Sequence, residues 1–125
     1  MGEGTVRQVL EEANIHEGIR EQVSARNRDI VEEVEQAISA HGLVVVGMKI
    51  NPHPKRAIKA LEEAGIAHEY LEYGSYFAEW GRRAALKMWS GWTTFPMVFV
   101  KGTLIGGADE TLALIKSGEL KRMLD

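Results

Sequence analysis

Residues 92–109 read WTTFPMVFVKGTLIGGAD, and their reading decides the fold. Met97 to Val100 is a short apolar run, Lys101-Gly102 a turn pair, and Thr103 to Ile105 a second short run. The pattern predicts two antiparallel strands joined by a tight turn. A hairpin this short needs a larger sheet to lie against. Pro96 opens the first strand, where a missing N–H is harmless, and Gly106-Gly107 end the second with two residues free to take positive φ. The spacing places Asp109 as the N-cap of a helix over residues 110–116. The N–H groups of that helix start would meet an anion or be satisfied by Asp109 itself.

Upstream, Leu43 to Val46 is continuously apolar and β-branched, as a buried central strand is. Gly42 precedes it, and Asn51-Pro-His-Pro54 follows as a loop, with Pro54 placed as the first residue of a helix. Ala57, Ile58, Leu61 and Ala64 mark one face of that helix, which stops at Gly65. Ile66 to Leu71 supplies a second strand, parallel to the first through one crossover. Residues 72–77, EYGSYF, read as a tyrosine-rich turn, and residues 77–89 as a helix with Phe77, Trp80, Ala84 and Met88 inward.

Nearer the N-terminus, Ile30, Val31, Val34, Ala37 and Ile38 define an amphipathic helix. Residues 5–22 are one helix with a broken middle or two short ones, and residues 23–28 a polar hinge. Residues 118–124 close the chain as a short helix packed through Leu120, Met123 and Leu124. Strand, helix, strand, helix and late hairpin make an α/β fold, a four-stranded mixed sheet with helices on both faces. Ligands in such sheets sit beyond the carboxyl ends of the parallel strands, here the loop from Lys49 to Pro54.

Composition narrows the chemistry. The chain has 125 residues, 45% of them hydrophobic, enough for one core without staples. A net charge of -3 argues against nucleic acid or anionic lipid as partner. No apolar run approaches the roughly 20 residues of a membrane helix, and the N-terminal stretch lacks signal-peptide character, so a cytosolic location is expected. There is no cysteine. That removes disulfides, a thiolate nucleophile, dithiol redox chemistry and cysteine-held metal. His16, His41 and His68 lack metal-ligand spacing with one another, so no metal is expected.

Three stretches carry a resemblance: residues 43–49 (LVVVGMK), residues 55–66 (KRAIKALEEAGI), and the run from Arg83 to Leu124 that contains the hairpin. Trp92, Thr94-Phe95-Pro96, Gly106-Gly107 and Asp109 are its most specific positions. In order and spacing these resemble glutaredoxins, proteins of the thioredoxin fold, and within them the monothiol, cluster-binding branch. The resemblance assigns residues 28–125 to a glutaredoxin-like domain and leaves residues 1–27 as an N-terminal helical extension. It implies that Pro96 is a cis-proline and that the Phe95 backbone pairs with the cysteinyl part of glutathione. Gly107 and Asp109 would then hold the γ-glutamyl end, and Lys49 with Arg83 would face the glycyl carboxylate. Trp92, Thr94 and Gly106 complete the implied ligand-binding set.

The departures change the chemistry. Asn51 stands where the family has its cysteine nucleophile, and Pro54 occupies the second redox position. An amide is neither a nucleophile nor an acid or base at neutral pH. Cysteine-dependent disulfide reduction is therefore not expected, and no cofactor is required, although glutathione remains a candidate ligand. Lys49 lies only two residues before Asn51, Thr93 replaces the branch's proline after the tryptophan, and the stretch between Glu72 and Arg83 is longer, adding Tyr73, Tyr76 and Trp80.

The residues also have plainer readings. Trp80 and Trp89 read as core packing, Arg82 and Arg83 as a solvated helix face, and the paired glutamates, such as Glu32-Glu33, as solvating charge. His53 has no visible carboxylate partner for general-base work. Three functions remain open: a non-redox groove for glutathione, a thiol peptide or a protein segment; an interaction protein, a homodimer or other homo-oligomer, using residues 1–27 and the tyrosine and tryptophan patch; and an enzyme whose substrate brings the sulfur.

Overall fold

The computed structural model describes residues 7–25, 27–49, 51–74 and 80–125. Tyr76, Phe77 and the side chain of Trp80, all marked in the sequence, lie outside the described part.

Strand β1 (Leu43–Gly47) runs through the middle of a four-stranded sheet of order β2-β1-β3-β4. β2 (Glu69–Glu72) pairs with it in parallel, while β3 (Met97–Val100) lies antiparallel on its other side and pairs with β4 (Thr103–Gly106). All five residues of β1 are buried, which is why its sequence is an unbroken apolar run rather than an alternation. The pleat then sorts side chains to two faces. Val44, Val46, Met97 and Phe99 meet Ile30 and Val34 of α2 (Arg28–Ala40) and Leu86 of α4 (Trp80–Ser90). Leu43, Val45, Val98 and Val100 meet Leu61 of α3 (Pro52–Glu63) and Leu120 of α6 (Glu119–Leu124), with α5 (Ala108–Ser117) in the same layer. This is the thioredoxin-like α/β arrangement, with additional helical turns at the N-terminus.

The hairpin closes as its sequence demands. Lys101 (φ 48°) and Gly102 (φ 84°) are both left-handed, the geometry that matches the twist of a two-residue hairpin. The register slips between Val98 and Phe99, which pair with Gly106 and Leu104. That bulge turns β4 toward α5. Gly106 has φ 117°, whereas Gly107 is extended, so only one glycine of the pair uses positive φ.

Five expectations require correction. The polar stretch 23–28 is not a hinge throughout: after a single 3-10 turn at Glu12–Asn14, α1 (Glu17–Ala25) runs to its end. The break falls at Asn27, which takes φ 52°, a conformation asparagine tolerates. On α4, Met88 points outward and is 77% exposed, while Leu86, Ala85 and Trp89 face the core. The helix is rotated because Arg83, read as solvated, is instead 4% exposed. Glu33 does more than solvate, since it accepts a hydrogen bond from the hydroxyl of the buried Tyr73. The second strand starts at Glu69; Ile66 is buried ahead of it.

Candidate functional site

The proline-bounded loop builds one wall. α3 starts earlier than read, at Pro52, so that Pro52 and not Pro54 is its first residue, and Asn51 is its N-cap. The Asn51 side-chain oxygen accepts from the backbone N–H of His53 at 2.9 Å. Prolines at the first and third helical positions have no N–H to leave unsatisfied, so this one hydrogen bond serves most of the helix start. The same side chain reaches across the site, its Nδ2 lying 3.5 Å from the carbonyl oxygen of Phe95. Pro54 is buried against β1. A Cβ on Gly47 would lie 2.8 Å from the Pro54 ring and 2.9 Å from Tyr70 Cε1, so glycine is what lets the loop approach the strand end.

α4 builds the opposite wall. The buried guanidinium of Arg83 donates to the carbonyl of Tyr73 at 3.4 Å. Tyr73 in turn lies beneath the Arg82 guanidinium, 5.7 Å from its ring centroid, and Arg82 pairs with Asp29 of α2 at 3.3 Å. Lys87, one turn beyond Arg83 on the same side of α4, places Nζ 5.7 Å from the centroid of the Phe95 ring. Between the walls opens a cleft of about 250 Å³ lined by Met48, Asn51, Arg83, Lys87, Thr94 and Phe95, with His53, Ala84 and Thr93 completing its lining. Among the described residues its lining includes the cations Arg83 and Lys87 and no carboxylate.

Beside the cleft lies the special backbone of the hairpin. The Phe95–Pro96 peptide bond is cis. Both residues are buried, and a Cβ on Gly107 would lie 3.4 Å from the Pro96 carbonyl and 3.6 Å from Nε1 of Trp92. That indole nitrogen is itself buried and has no hydrogen-bond partner among the described residues. Asp109 does not cap α5. The cap is Gly107, whose N–H donates to the side chain of Glu110 at 2.8 Å. The helix begins at Ala108, one residue before Asp109, because the chain leaves the bulge directly into helical geometry. The displaced Asp109 carboxylate is exposed and pairs with Arg56 of α3 at 3.0 Å.

Asn51, Arg83, Thr94 and Phe95 are thus brought into one cleft, and Trp92, Pro96, Gly106, Gly107 and Asp109 into a rim around the start of α5. Lys49 lines neither. Its N–H is held by the carbonyl of Gly74 at 2.6 Å, and its side chain is exposed. Lys87 and Arg56 were missed. Lys87 could have been found from its spacing of four after Arg83, which puts two cations on one helix face; nothing local marks Arg56. A larger cleft of about 410 Å³ opens between α2, α4 and the hairpin, but among the described residues Glu35 is its only charged lining residue, and it lies away from the strand ends.

The family follows from comparison with known proteins. A "Glutaredoxin-like protein" of Dictyostelium discoideum is 45% identical over 104 residues, covering 83% of this chain and 85% of the other. The chain belongs to the glutaredoxin family, on its monothiol-like side. The glutaredoxin family model itself matches residues 52–105. A chloroplastic bifunctional monothiol glutaredoxin of Arabidopsis thaliana is 37% identical over 71 residues, 57% of this chain; those residues span 24% of that longer protein. The crystal structure of a buckwheat glutaredoxin–glutathione complex superposes with a TM-score of 0.70 at 26% identity, covering 80% of this chain and 91% of that one.

Within that family this chain carries no thiol. With no cysteine anywhere in the chain, it has no thiolate to attack a disulfide, so cysteine-dependent disulfide reduction is absent. The described residues hold no group of three His, Cys, Asp or Glu side chains able to bind a metal ion, and no helix long and apolar enough to cross a membrane. What the arrangement can do is bind. It has the Asn51 amide at the start of α3, cations on one wall, and, beside a glycine helix start, an indole donor without a partner among the described residues.

Proposed function

We propose that this glutaredoxin is a non-redox binding module whose groove takes glutathione, a related thiol peptide or an extended segment of a partner protein. The observation that carries this reading is a cleft lined, among the described residues, by the two cations Arg83 and Lys87 and by Asn51, Thr94 and Phe95, where the hairpin begins. Arg83 costs a great deal to bury, and its guanidinium is held at the cleft by the Tyr73 carbonyl. A carboxylate there would gain charge-assisted hydrogen bonds. The buried Trp92 N–H and the Phe95 backbone supply neutral hydrogen-bonding positions of the kind an extended peptide uses. Asn51 contributes an amide contact rather than a reaction, and the substrate's sulfur finds no partner.

Calorimetric titration with reduced glutathione and with S-methylglutathione tests this. A groove that does no thiol chemistry binds the two within about twofold, since S-methylation removes a weak S–H donor and adds a single methyl group. Absence of heat from both, at peptide concentrations into the millimolar range, would sink the proposal.

A second reading draws on a different observation. α1 buries no residue, and Ile19 and Val23, one turn apart, stay 47% and 52% exposed. Such a stripe is an interaction face, and self-association through it is measured by sedimentation; a monomer at all concentrations, unchanged by Ile19→Ser, would remove this reading.

A further inference from the structure

The larger cleft, between α2, α4 and the hairpin, shares no described lining residue with the groove and has a different chemistry. Glu35, Ile38 and Ser39 bring one helix face to it, since residues three and four apart on α2 are surface neighbours. Trp89 and Ser90 come from the end of α4, and Phe99 and Leu104 from the hairpin. The Trp89 and Phe99 rings lie 5.8 Å apart, tilted by 38°. Phe99 is buried and Trp89 half-buried, so the indole is the aromatic surface that a ligand would meet.

The polar groups of this cleft are of one kind. The Ser39 hydroxyl donates to the Glu35 carbonyl at 3.1 Å, and the Ser90 hydroxyl donates to Met97 Sδ at 3.4 Å. A hydroxyl has one hydrogen, so both serines have only oxygen lone pairs left to offer. The Glu35 carboxylate is a third acceptor. Asp29 pairs with Arg82 and Glu33 holds the Tyr73 hydroxyl, whereas Glu35 is in no ion pair among the described residues. Ile38 and Ser39 also sit in the last turn of α2, the negative end of its dipole, and that turn has no basic residue. The end of α4 has its own cations, Lys87 and, against Gly91, Arg7; a Cβ on Gly91 would fall 2.2 Å from Arg7 Nη1. Neither lines the cleft.

We propose that this cleft binds a small organic cation, a primary ammonium carried on an apolar body. The ammonium donates to Glu35 and the neighbouring serine oxygens, and the indole face of Trp89 attracts the same charge. Ile38 and Leu104 take the apolar body. A volume of about 410 Å³ is in the range of small-molecule clefts. An anion would meet a carboxylate and a helix C-terminus, with no side-chain cation among the described lining residues to hold it. The sign is opposite to that of the groove, where Arg83 and Lys87 are the charges. Binding here does not depend on whether the groove takes a peptide.

Backbone amide spectra of the isotopically labelled chain, titrated with 2-phenylethylammonium, test the proposal. Saturable shifts are expected at Glu35, Ser39, Ser90 and Gly102, with a Kd of about a millimolar for so small a ligand, and none at Asn51 or Thr94 of the groove. Two controls divide the ligand. The anion 3-phenylpropionate keeps the body and reverses the charge, and methylammonium keeps the charge without the body; neither should saturate in that range. Glu35 is exposed and outside the core, so Glu35→Gln should leave the fold intact and weaken the amine about two- to fivefold, the span of an exposed ion pair. Glu32→Gln, on the same helix but outside the lining, should leave the affinity as it was. Absence of saturable shifts with the amine would overturn the proposal. Equal binding of either control, or an affinity unchanged in Glu35→Gln, would overturn it as well.

Discussion

The two walls of the site part company in what each has kept. The loop entering α3 carries no thiol: Asn51 caps the helix and Pro54 is buried. The hairpin wall, from Trp92 to Asp109, keeps the cis Phe95–Pro96 bond, the bulge and the glycine entry to α5. The difference teaches where function is stored. A nucleophile is one side chain on a loop, and removing it leaves the core as it was. The hairpin backbone is built into the sheet, because β3 carries Met97 and Phe99 on one face and Val98 and Val100 on the other, and cannot be altered without the core. Chemistry is therefore lost more easily than binding geometry.

The sharpest way to break that contrast is to return the missing atom. Asn51→Cys places a thiol at the start of α3, within reach of the His53 N–H that now bonds Asn51 and in a cleft whose charges are positive. The thiol pKa should fall at least a unit below the ordinary value of about 8.5. The thiolate should attack glutathione disulfide, forming a protein–glutathione mixed disulfide and releasing one glutathione thiolate. Alkylation rate against pH and intact mass report both. A variant that alkylates with an unshifted profile and forms no mixed disulfide would show that the α3 wall lost more than its sulfur.

The hairpin wall should resist change in the opposite way, through stability. Gly106 at φ 117° would place a Cβ 2.7 Å from Cγ of Glu110, so Gly106→Ala strains the backbone and pushes away the side chain bonded to Gly107. A loss of about 2–3 kcal/mol is expected, read as a lowered denaturant midpoint. On the other wall, Gly47→Ala collides with the rigid Pro54 ring and should cost about 1–3 kcal/mol by the same measurement. If Gly47→Ala proved neutral, the close approach of the α3 loop to β1 would be no constraint at all.

A smaller effect separates the cations. Lys87→Ala should weaken glutathione binding about threefold to tenfold in calorimetry, with little change in stability, since Lys87 is only half-buried. An unaltered affinity would remove it from the site. The smallest expectation concerns β2, outside both walls. Burial, then the hydrogen bond to Glu72 and its charge, push the Tyr70 hydroxyl up to about 12 from an ordinary 10.0. The folded protein then holds a proton that the unfolded chain releases. Stability is full below pH 10 and declines as pH rises toward 12. Tyr70→Phe should flatten that decline.

Much of this was readable from sequence. The hairpin followed from an apolar run, a Lys-Gly pair and two glycines, signals that are local in the chain. The central strand followed from four consecutive apolar residues between Gly42 and a proline loop. What escaped was nonlocal. Arg83 reads as a surface charge because its burial depends on Tyr73, ten residues away, offering a carbonyl. Asp109 reads as a cap because the bulge that moves the helix start back one residue depends on strand register. The Arg56–Asp109 pair joins residues 53 apart in sequence, and only the packing of α3 against α5 brings them together.

In the proposed function the hairpin wall recognises a peptide although the chain holds no thiol. Backbone amide spectra of isotopically labelled protein titrated with reduced glutathione test it most directly. The account predicts saturable shifts at Asn51, Phe95, Gly107 and Asp109, absent from Ile19 and Val23 of α1 and abolished by Gly107→Trp. Unmoved resonances at those four residues up to several millimolar glutathione would contradict it.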